Sequence, residues 1–385
     1  MSEKLAIQTL ARVLEDTADS LEFGFSQKKT RVGITIYGSE LGVEEVMLGA
    51  QLAQDKNPDI EIVVIGSGVQ TDLEVVEASS EEEAHELMDK MLASGEIEAS
   101  VTMHYNFPLG VSTVGRVITP ARGKDMYIAT TTGVSDTDRI ISMLKNTIYA
   151  IATAKACGNE NPSVGILNVD GARQVERILK QLKEKGYPIN FANSGRSDEG
   201  VVMRGNDLIM GTPDIMVTDS LSGNIFMKIF SAYVTGGKYE ALGYGYGPGI
   251  GEDYKKVICI ISRASGAPVI AGALKFAAES ASGNVVSKVK EEFTSVRKAG
   301  WAEALDSLKS KPATEQEEKV AAPPQKVVTE EIPGIEILEI EDAVQSLWKN
   351  KIYAESGMGC TGPIVQVAEE DKDKALEILK EKNYI

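Results

Sequence analysis

A buried strand, a polar loop and a helix are predicted by residues 214–228, which read Asp214-Ile215-Met216-Val217-Thr218-Asp219-Ser220-Leu221-Ser222-Gly223-Asn224-Ile225-Phe226-Met227-Lys228. The first part is an apolar run of strand length, and the apolar residues after the loop recur at helical spacing. In a sheet built from such units, the loop after each strand lies at the carboxyl edge, where ligands bind. We therefore expect this loop to face a ligand site.

The same alternation of strand and helix patterns extends along the chain on both sides of this segment. Apolar runs predict strands at residues 32–37, 61–65, 99–103, 126–130, 163–169, 189–192, 214–218 and 257–261. Amphipathic spacing predicts helices at residues 43–54, 80–94, 136–157, 171–185, 222–234, 268–278 and 284–298. Alternation of this kind predicts an α/β fold with a largely parallel sheet covered by helices on both faces.

The composition divides the 385-residue chain into four segments. An amphipathic N-terminal helix is predicted within residues 1–30, and the α/β domain spans residues 31–309. Residues 310–332 combine proline, lysine and acidic residues and contain no aromatic residue, which is typical of an extended linker. Residues 333–385 are expected to form a small α+β module. Because a module of about fifty residues is near the lower limit for independent stability, we expect it to dock on another surface.

Charge and residue counts restrict the classes of partner and site. The formal charge is −17 and no basic patch is visible, so nucleic acid is not expected as a partner. No apolar stretch reaches membrane-spanning length and the N-terminus does not resemble a signal peptide, which predicts a cytoplasmic protein without a membrane partner. The three cysteines form neither a disulfide framework nor a metal pair, and the carboxylates are not grouped at ligand spacing. No metal is predicted.

Cys360 is the candidate nucleophile. It lies in the segment Gly357-Met358-Gly359-Cys360-Thr361-Gly362-Pro363, where the flanking glycines leave the sulfur accessible and allow backbone N–H groups to converge near it. The alternative is a buried thiol that acts as a small hydrophobic residue. That alternative describes Cys259, in an apolar strand, and Cys157, at a helix end with no partner residues around it.

The loop and helix of residues 214–228 form the strongest candidate binding site. The Asn224 amide, the Ser222 hydroxyl and the backbone N–H of Gly223 are predicted to face the ligand at a helix N-terminus. Lys228 follows Asn224 by four residues and shares its face of the helix. The alternative is an ordinary helix start in which Asp219 or Ser222 is only the N-cap.

Two other segments carry candidate residues. Residues 102–110 follow a predicted strand and contain His104 and Asn106, which could donate to an oxyanion, and they lead to Arg116, which could bind phosphate. Residues 243–251 are rich in glycine but do not match the dinucleotide-binding pattern, so we interpret them as a turn or a mobile loop over a ligand.

Several of these segments, taken in order, resemble the phosphate acyltransferases and, more distantly, phosphotransacetylase. The resemblance covers most of residues 31–300 through short stretches at residues 33–42, 49–50, 99–110, 161–169 and 217–224 together with Lys228. It implies an isocitrate-dehydrogenase-like fold with a cleft between two subdomains, dimerisation, and attack of phosphate on a thioester. It also implies that Asn224 is the active-site asparagine.

Two positions depart from that family. Residues 37–40 read Tyr-Gly-Ser-Glu where the family has an aspartate and paired glycines. Residues 171–173 read Gly-Ala-Arg where the family has a lysine, so Arg173 is the candidate for the missing positive charge.

The chain as a whole resembles the component C alpha subunits of clostridial glycine/sarcosine/betaine reductase complexes. This resemblance implies that a carboxymethyl group on selenoprotein A becomes an acetyl thioester on a cysteine, which phosphate cleaves to acetyl phosphate. It also implies the component C beta subunit and carboxymethylated selenoprotein A as partners, a homo- or hetero-oligomer, and inorganic phosphate as co-substrate without a cofactor. Cys360 would be the acyl carrier, with phosphate held by Lys228, Arg173 or Arg116.

Two other functions are open from the sequence. The chain could be a non-catalytic scaffold of the same complex, because the departures from the acyltransferase pattern fit a decayed site. It could also be a decarboxylating dehydrogenase on the same fold, although that activity needs a carboxylate cluster and a nucleotide site that the sequence does not reveal.

Overall fold

The structure is a computed structural model that describes residues 17–18, 29–195, 200–309, 322–335, 339–359, 362–382 and 384–385. The predicted N-terminal helix of residues 1–30 and the first part of the predicted linker lie largely outside these residues. Among the described residues, no helix has the length and apolar character needed to cross a membrane.

The described chain forms a large mixed sheet with helices on both faces and a small separate sheet. The strands are β1 Thr30–Thr35, β2 Ile60–Ile65, β3 Glu74–Val76, β4 Ala99–Thr102, β5 Val111–Ile118, β6 Asp125–Val134, β7 Ser163–Leu167, β8 Asn190–Phe191, β9 Val202–Met203, β10 Ile215–Val217, β11 Gly247–Ile250, β12 Ile258–Ile260, β13 Glu330–Pro333, β14 Ala354–Gly359 and β15 Gly362–Val367. The α-helices are α1 Val43–Lys56, α2 Glu81–Ser94, α3 Arg139–Ala156, α4 Ala172–Glu184, α5 Gly205–Met210, α6 Ser220–Ala232, α7 Ala267–Ser282, α8 Val285–Lys298, α9 Trp301–Lys309, α10 Ile340–Lys349 and α11 Lys372–Glu381.

The large sheet consists of two parallel halves joined by antiparallel strands. Its strand order is β3-β2-β1-β4-β12-β11-β5-β6-β10-β7-β8, with β9 also paired to β7. Three successive antiparallel pairings separate β12 from β6. The two halves therefore run in opposite directions, and their carboxyl ends lie at opposite edges of the sheet. The predicted α/β fold with two subdomains is confirmed.

The apolar core lies on both faces of the large sheet. On one face, α1, α3, α4, α7 and α8 cover the sheet with a continuous apolar cluster. On the other face, α6 packs on the second half through Met227 and Phe230, and α2 packs on the first half through Met88 and Met91. Residues on successive positions of a strand face opposite sides, so each strand contributes to both layers.

The interpretation of the glycine-rich residues 243–251 as a turn or a mobile loop is wrong. They contain the buried strand β11 in the centre of the sheet. A side chain at Gly247 would collide with the Val114 carbonyl oxygen, and one at Gly249 would collide with the Phe107 ring. The glycines are thus required by close packing. Sequence patterns missed the strand because glycine is normally depleted in strands.

The C-terminal part has its own sheet and core. The strand order is β13-β15-β14, all antiparallel, and α10 and α11 pack on it around Leu347 and Leu379. Strand β13 lies partly within the segment interpreted as linker, so the module begins at or before Glu330. Residues 310–321 are outside the described part of the chain.

Candidate functional site

The N-terminus of α6 is capped by the carboxylate of Asp219. Asp219 follows β10, and its Oδ1 atom accepts a hydrogen bond of 3.0 Å from the Ser222 backbone N–H. The Ser222 hydroxyl donates to Asp219 Oδ2 at 2.7 Å. Asp219 is therefore the N-cap residue of α6. Because a hydroxyl has one proton, Ser222 does not donate to a ligand while this bond is present.

Gly223 allows α6 to lie against β6. A Cβ atom at this position would come within 1.8 Å of the Thr130 carbonyl oxygen. The close approach brings the Asn224 amide to the strand, where its Nδ2 atom donates to the Thr131 carbonyl oxygen at 3.1 Å. A primary amide carries two protons, so this bond orients Asn224 and leaves a second donor available.

Thr218 adds a polar group that sequence reasoning did not single out. Its side chain is fully buried at the carboxyl end of β10, and its hydroxyl has no hydrogen-bond partner among the described residues. Leaving a buried hydroxyl unpaired costs about 1–3 kcal/mol. Thr218 is thus an unpaired polar group directly before the N-terminus of α6.

Arg139 connects three loops at the same edge of the sheet. It is the first residue of α3, its Nη1 atom lies 3.1 Å from Asp170 Oδ2, and its Nη2 atom lies 3.7 Å from Asp219 Oδ2. These residues follow β6, β7 and β10. The sequence contained a signal for Arg139, because a cation in the first turn of a helix opposes the helix dipole and indicates a partner outside the helix.

Lys228 lies against a buried carboxylate. Its Nζ atom is 3.5 Å from Glu240 Oε1 and 5.7 Å from the centre of the Tyr246 ring, while the side chain remains 57% exposed. Glu240 itself is only 3% exposed and also contacts the Tyr246 and Ser265 hydroxyls. Sequence reasoning missed Glu240, because nothing in its local pattern indicates burial. Burial and the Glu240 carboxylate raise the pKa of Tyr246 well above its ordinary value.

A cavity of about 380 Å³ lies beside this pair. The residues that line it include Lys228, Lys238, Tyr239 and Glu240. It therefore offers positive charge, one buried carboxylate and two aromatic side chains, Tyr233 and Tyr239.

Arg116 lies on the opposite face of the sheet from α6. Its neighbour Gly115 faces Met227 of α6, so the alternation of the strand directs Arg116 to the other side. There its guanidinium contacts Asp125 at 2.5 Å and Glu279 at 2.7 Å, and it stacks on the Tyr244 ring at 4.1 Å. The structure therefore does not bring Arg116 to Asn224, and its charge is satisfied within the core.

Asn106 and His104 are exposed in the loop between β4 and β5. The residues beside them anchor this loop. The Tyr105 hydroxyl donates to Asp89 at 3.1 Å, and the Phe107 ring packs against Tyr254 with centroids 5.9 Å apart. No hydrogen bond between Asn106 and α6 occurs within the described part of the chain.

Arg173 lies in the first turn of α4, one third exposed, with its Nη1 atom 3.0 Å from Glu176 Oε2. The adjacent Gln174 donates from Nε2 to Glu339 Oε1 of the C-terminal module at 3.2 Å. Glu339 is the N-cap residue of α10 and is 9% exposed. The module thus contacts the large domain at the start of α4, directly after the loop that carries Asp170.

The comparisons with known proteins place the chain in a family. A family model described as fatty acid synthesis protein matches residues 30–366. A relative from Peptoclostridium acidaminophilum, the glycine/sarcosine/betaine reductase complex component C subunit alpha, is 54% identical over 379 residues and covers 98% of both chains. The chain belongs to the family of these component C alpha subunits.

More distant relatives of the chain are phosphate acyltransferases. The one from Thermotoga maritima is 27% identical over 232 residues, which cover 51% of this chain and 68% of the relative. Among solved structures, a branched-chain phosphotransacylase from Enterococcus faecalis matches with a TM-score of 0.48 and 15% identity, over 66% of this chain and 99% of that one.

Of the two cysteines that the structure describes, Cys259 is buried and Cys157 is partly buried. Cys259 is fully buried in β12, and burial raises its pKa well above the ordinary value. Burial also raises the pKa of Cys157 to about 11. The expectation that Cys157 has no partner residues is wrong, because its sulfur lies 3.9 Å from the Ser280 hydroxyl and also interacts with Tyr127.

Cys360 itself lies outside the described residues. The strands on either side of it are described, and β14 ends at Gly359 where it pairs with Gly362 at the start of β15. Among the residues that the structure describes, no group of three or more His, Cys, Asp or Glu side chains could hold a metal ion.

Proposed function

We propose that this chain forms acetyl phosphate by phosphorolysis of an acetyl thioester on Cys360. Phosphate oxygen attacks the thioester carbonyl, a carbon–oxygen bond forms, and the carbon–sulfur bond then breaks to release the Cys360 thiolate. Both steps pass through a tetrahedral oxyanion, so the reaction needs a donor aimed at that oxygen. The names of the component C and phosphate acyltransferase relatives support an acyltransferase role.

The observation that carries this proposal is the position of Asn224. Gly223 allows α6 to pack closely on β6, and one N–H of the Asn224 amide donates a hydrogen bond to the Thr131 carbonyl oxygen. The second N–H of the amide remains available to donate to the developing oxyanion. A donor held in this way stabilises the transition state without reorganising, which is worth about 3 kcal/mol for one hydrogen bond.

Lys228 is the best candidate to hold phosphate, since it lies one turn after Asn224 on α6. More than half of its side chain is exposed although Glu240 lies 3.5 Å away. A bound phosphate dianion would compete with Glu240 for the ammonium group. Arg173 is the second candidate, and Arg116 is excluded because both of its carboxylate partners lie on the other face.

The C-terminal module is proposed to carry the acetyl group between partners and the large domain. The contact of Gln174 with Glu339 supports docking of the module at the carboxyl edge where α4 begins. The component C beta subunit and carboxymethylated selenoprotein A are the proposed partners that load the thiol. A tethered thiol gains an effective concentration set by the length of its linker.

Acetyl transfer in the reverse direction tests the assignment of Cys360. Incubation with labelled acetyl phosphate should place a thioester-linked acetyl group on Cys360, and arsenate should remove it. Cys360→Ser should abolish the thioester, whereas Cys157→Ser should retain it, because Cys157 is only partly exposed and its raised pKa disfavours the reactive thiolate. An unlabelled wild-type protein, or full label on Cys360→Ser, would contradict the proposal.

A scaffold role is the second candidate, and one observation favours it. The Ser222 hydroxyl and the Lys228 ammonium group are both engaged by carboxylates of the same chain. Calorimetry separates the two functions. A scaffold should bind neither phosphate nor acetyl phosphate, whereas the acyltransferase should bind both, and Lys228→Ala should weaken that binding.

A further inference from the structure

A second cavity, of about 530 Å³, lies on the face of the large sheet that α1 and α7 cover, opposite to α6. Three parts of the chain form its walls: the last turns of α1, the N-terminal part of α7 and the segment 241–244, which precedes β11. Small-molecule sites typically have volumes of about 300–1,000 Å³. The cavity therefore has the size of a ligand site, and the acetyl transfer proposed above does not use it.

One wall of the cavity is an aromatic ring that is fixed in position. A Cβ atom added at Gly272 of α7 would lie 2.5 Å from the Gly243 carbonyl oxygen, so the helix lies directly against the segment 241–244. In this segment, the Tyr244 ring is stacked against the Arg116 guanidinium at 4.1 Å, and the Tyr244 hydroxyl donates to Asp125 Oδ2 at 3.1 Å. Because the ring is held before any ligand arrives, binding against it costs little conformational entropy.

Most of the remaining wall is apolar. It is formed by Leu52, Ile118, Ala241, Leu242, Pro268 and Ala271. Ligand sites are lined mainly by apolar and aromatic side chains, with a few polar groups that orient the ligand. The walls of this cavity thus suit a molecule with a flat apolar body.

The charged side chains indicate what the rest of the ligand is. Among the described residues that line the cavity, two are charged, and both are lysines: Lys56 in the last turn of α1 and Lys275 of α7. Lys56 is exposed, and the Lys275 side chain is 46% exposed with its Nζ atom 3.8 Å from Glu279 Oε1. Glu279 lies closer to Arg116, at 2.7 Å. In a chain with a net charge of −17, two ammonium groups at an apolar cavity favour an anion.

We propose that this cavity binds a small organic phosphate, a molecule with a flat apolar body and one phosphate group. Lys56 and Lys275 would hold the phosphate oxygens by charge-assisted hydrogen bonds, and the body would lie against the Tyr244 ring and the apolar wall. A phosphate monoester carries a charge of about −1.5 to −2 at pH 7, which matches two lysines better than a carboxylate does. The site is separate from Asn224, which lies on the other face of the sheet.

Calorimetric titration of the full chain with 1-naphthyl phosphate tests this site. The wild type should bind one equivalent, and the double variant Lys56→Ala/Lys275→Ala should bind at least about tenfold more weakly, because both charged contacts are lost. Lys90→Ala is the matched control, since Lys90 is an exposed lysine of α2 outside the cavity and its loss should leave the affinity unchanged. Absence of binding to the wild type, or equal affinity of the double variant, would overturn the proposal.

A comparison of ligands tests the same site without any change to the protein. 1-Naphthol lacks the phosphate and should bind the wild type at least about tenfold more weakly than 1-naphthyl phosphate. Inorganic phosphate lacks the apolar body and should not displace 1-naphthyl phosphate at equal concentration. If 1-naphthol bound as tightly as its phosphate ester, the cavity would be only an apolar site and the proposal would be wrong.

Two further variants locate the bound molecule. Leu242→Trp places a larger side chain in the cavity wall and should abolish binding of 1-naphthyl phosphate, whereas Leu48→Trp, at an exposed position of α1 outside the cavity, should retain it. Lys228→Ala should also retain it, because Lys228 lies on α6. Loss of binding in Lys228→Ala together with full binding in Leu242→Trp would place the ligand on the other face and refute the proposal. None of these readouts depends on acetyl transfer, so this site and the proposed function can fail separately.

Discussion

Asn224 has two amide protons, and the Thr131 carbonyl accepts one of them. Removing the side chain deletes the proposed oxyanion donor, so Asn224→Ala should lower the rate of acetyl phosphate turnover about 10²–10³-fold. The effect should fall on kcat, because the donor acts on the transition state. The measurement is steady-state turnover at varied phosphate concentration.

The control for this substitution is Asn190→Ala. Asn190 also donates its amide to a backbone carbonyl, that of Asn161, but it lies in β8 at the far edge of the sheet. Equal losses in the two variants would show that the effect of Asn224→Ala is structural.

The raised pKa of the Cys157 thiol predicts that the protein loses stability at alkaline pH. Burial raises the pKa of its thiol from 9.0 to about 11, so the folded protein favours the protonated form. The contribution of the protonated thiol to the free energy of unfolding is fully present below pH 9, the pKa of the unfolded state. It is lost as the pH rises through 11, the pKa of the folded state. A two-unit shift corresponds to at most about 3 kcal/mol. Between pH 8.5 and 11, the free energy of unfolding of the wild type should therefore fall more than that of Cys157→Ala. Parallel curves in urea unfolding would show that the thiol is not the responsible group.

At the scale of elements, the contact between α6 and β6 depends on the absence of a side chain at Gly223. An added methyl group would meet the Thr130 carbonyl at 1.8 Å, so the helix must move away from the strand. Gly223→Ala should lower the free energy of unfolding by about 1–3 kcal/mol. It should also displace Asn224 and reduce turnover.

Gly205→Ala is the matched control for this substitution. Gly205 begins the short helix α5, and an added Cβ would have no neighbour within 4 Å. Its urea unfolding curve should coincide with that of the wild type. If Gly223→Ala were equally stable, the close approach of α6 would not be required.

At the scale of the whole molecule, the large domain and the C-terminal module have separate apolar cores. The composition of the predicted linker, residues 310–332, indicates an accessible connection between them. Brief trypsin treatment of the native protein should cut after Lys319 and leave both parts resistant. Mass spectrometry of the fragments checks this expectation, and heating to unfold the protein before digestion serves as the control. Early cuts within residues 31–309 would contradict it.

Local sequence patterns were sufficient to predict many of the strands and helices of this protein. The apolar runs and helical spacings predicted the strands around β1, β7 and β10 and the helices that follow them, because these elements bury continuous apolar stretches. The loop at Asp219 was also found, since a polar segment between a buried strand and a helix is a local signal. The strand β11 was missed because its glycines reflect packing against Val114 and Phe107, which are distant in sequence.

The sequence by itself determined the alternating α/β plan, the position of Asn224 on α6 and the acidic surface. These properties depend on the order of residues along the chain. Only the tertiary structure decided that Arg116 faces away from Asn224, that Glu240 is buried beside Lys228 and that Arg139 joins two aspartates. Those outcomes depend on which helix covers each face of β5, on the pairing that brings the ends of β6, β7 and β10 together, and on burial. All three arise from contacts between residues far apart in sequence.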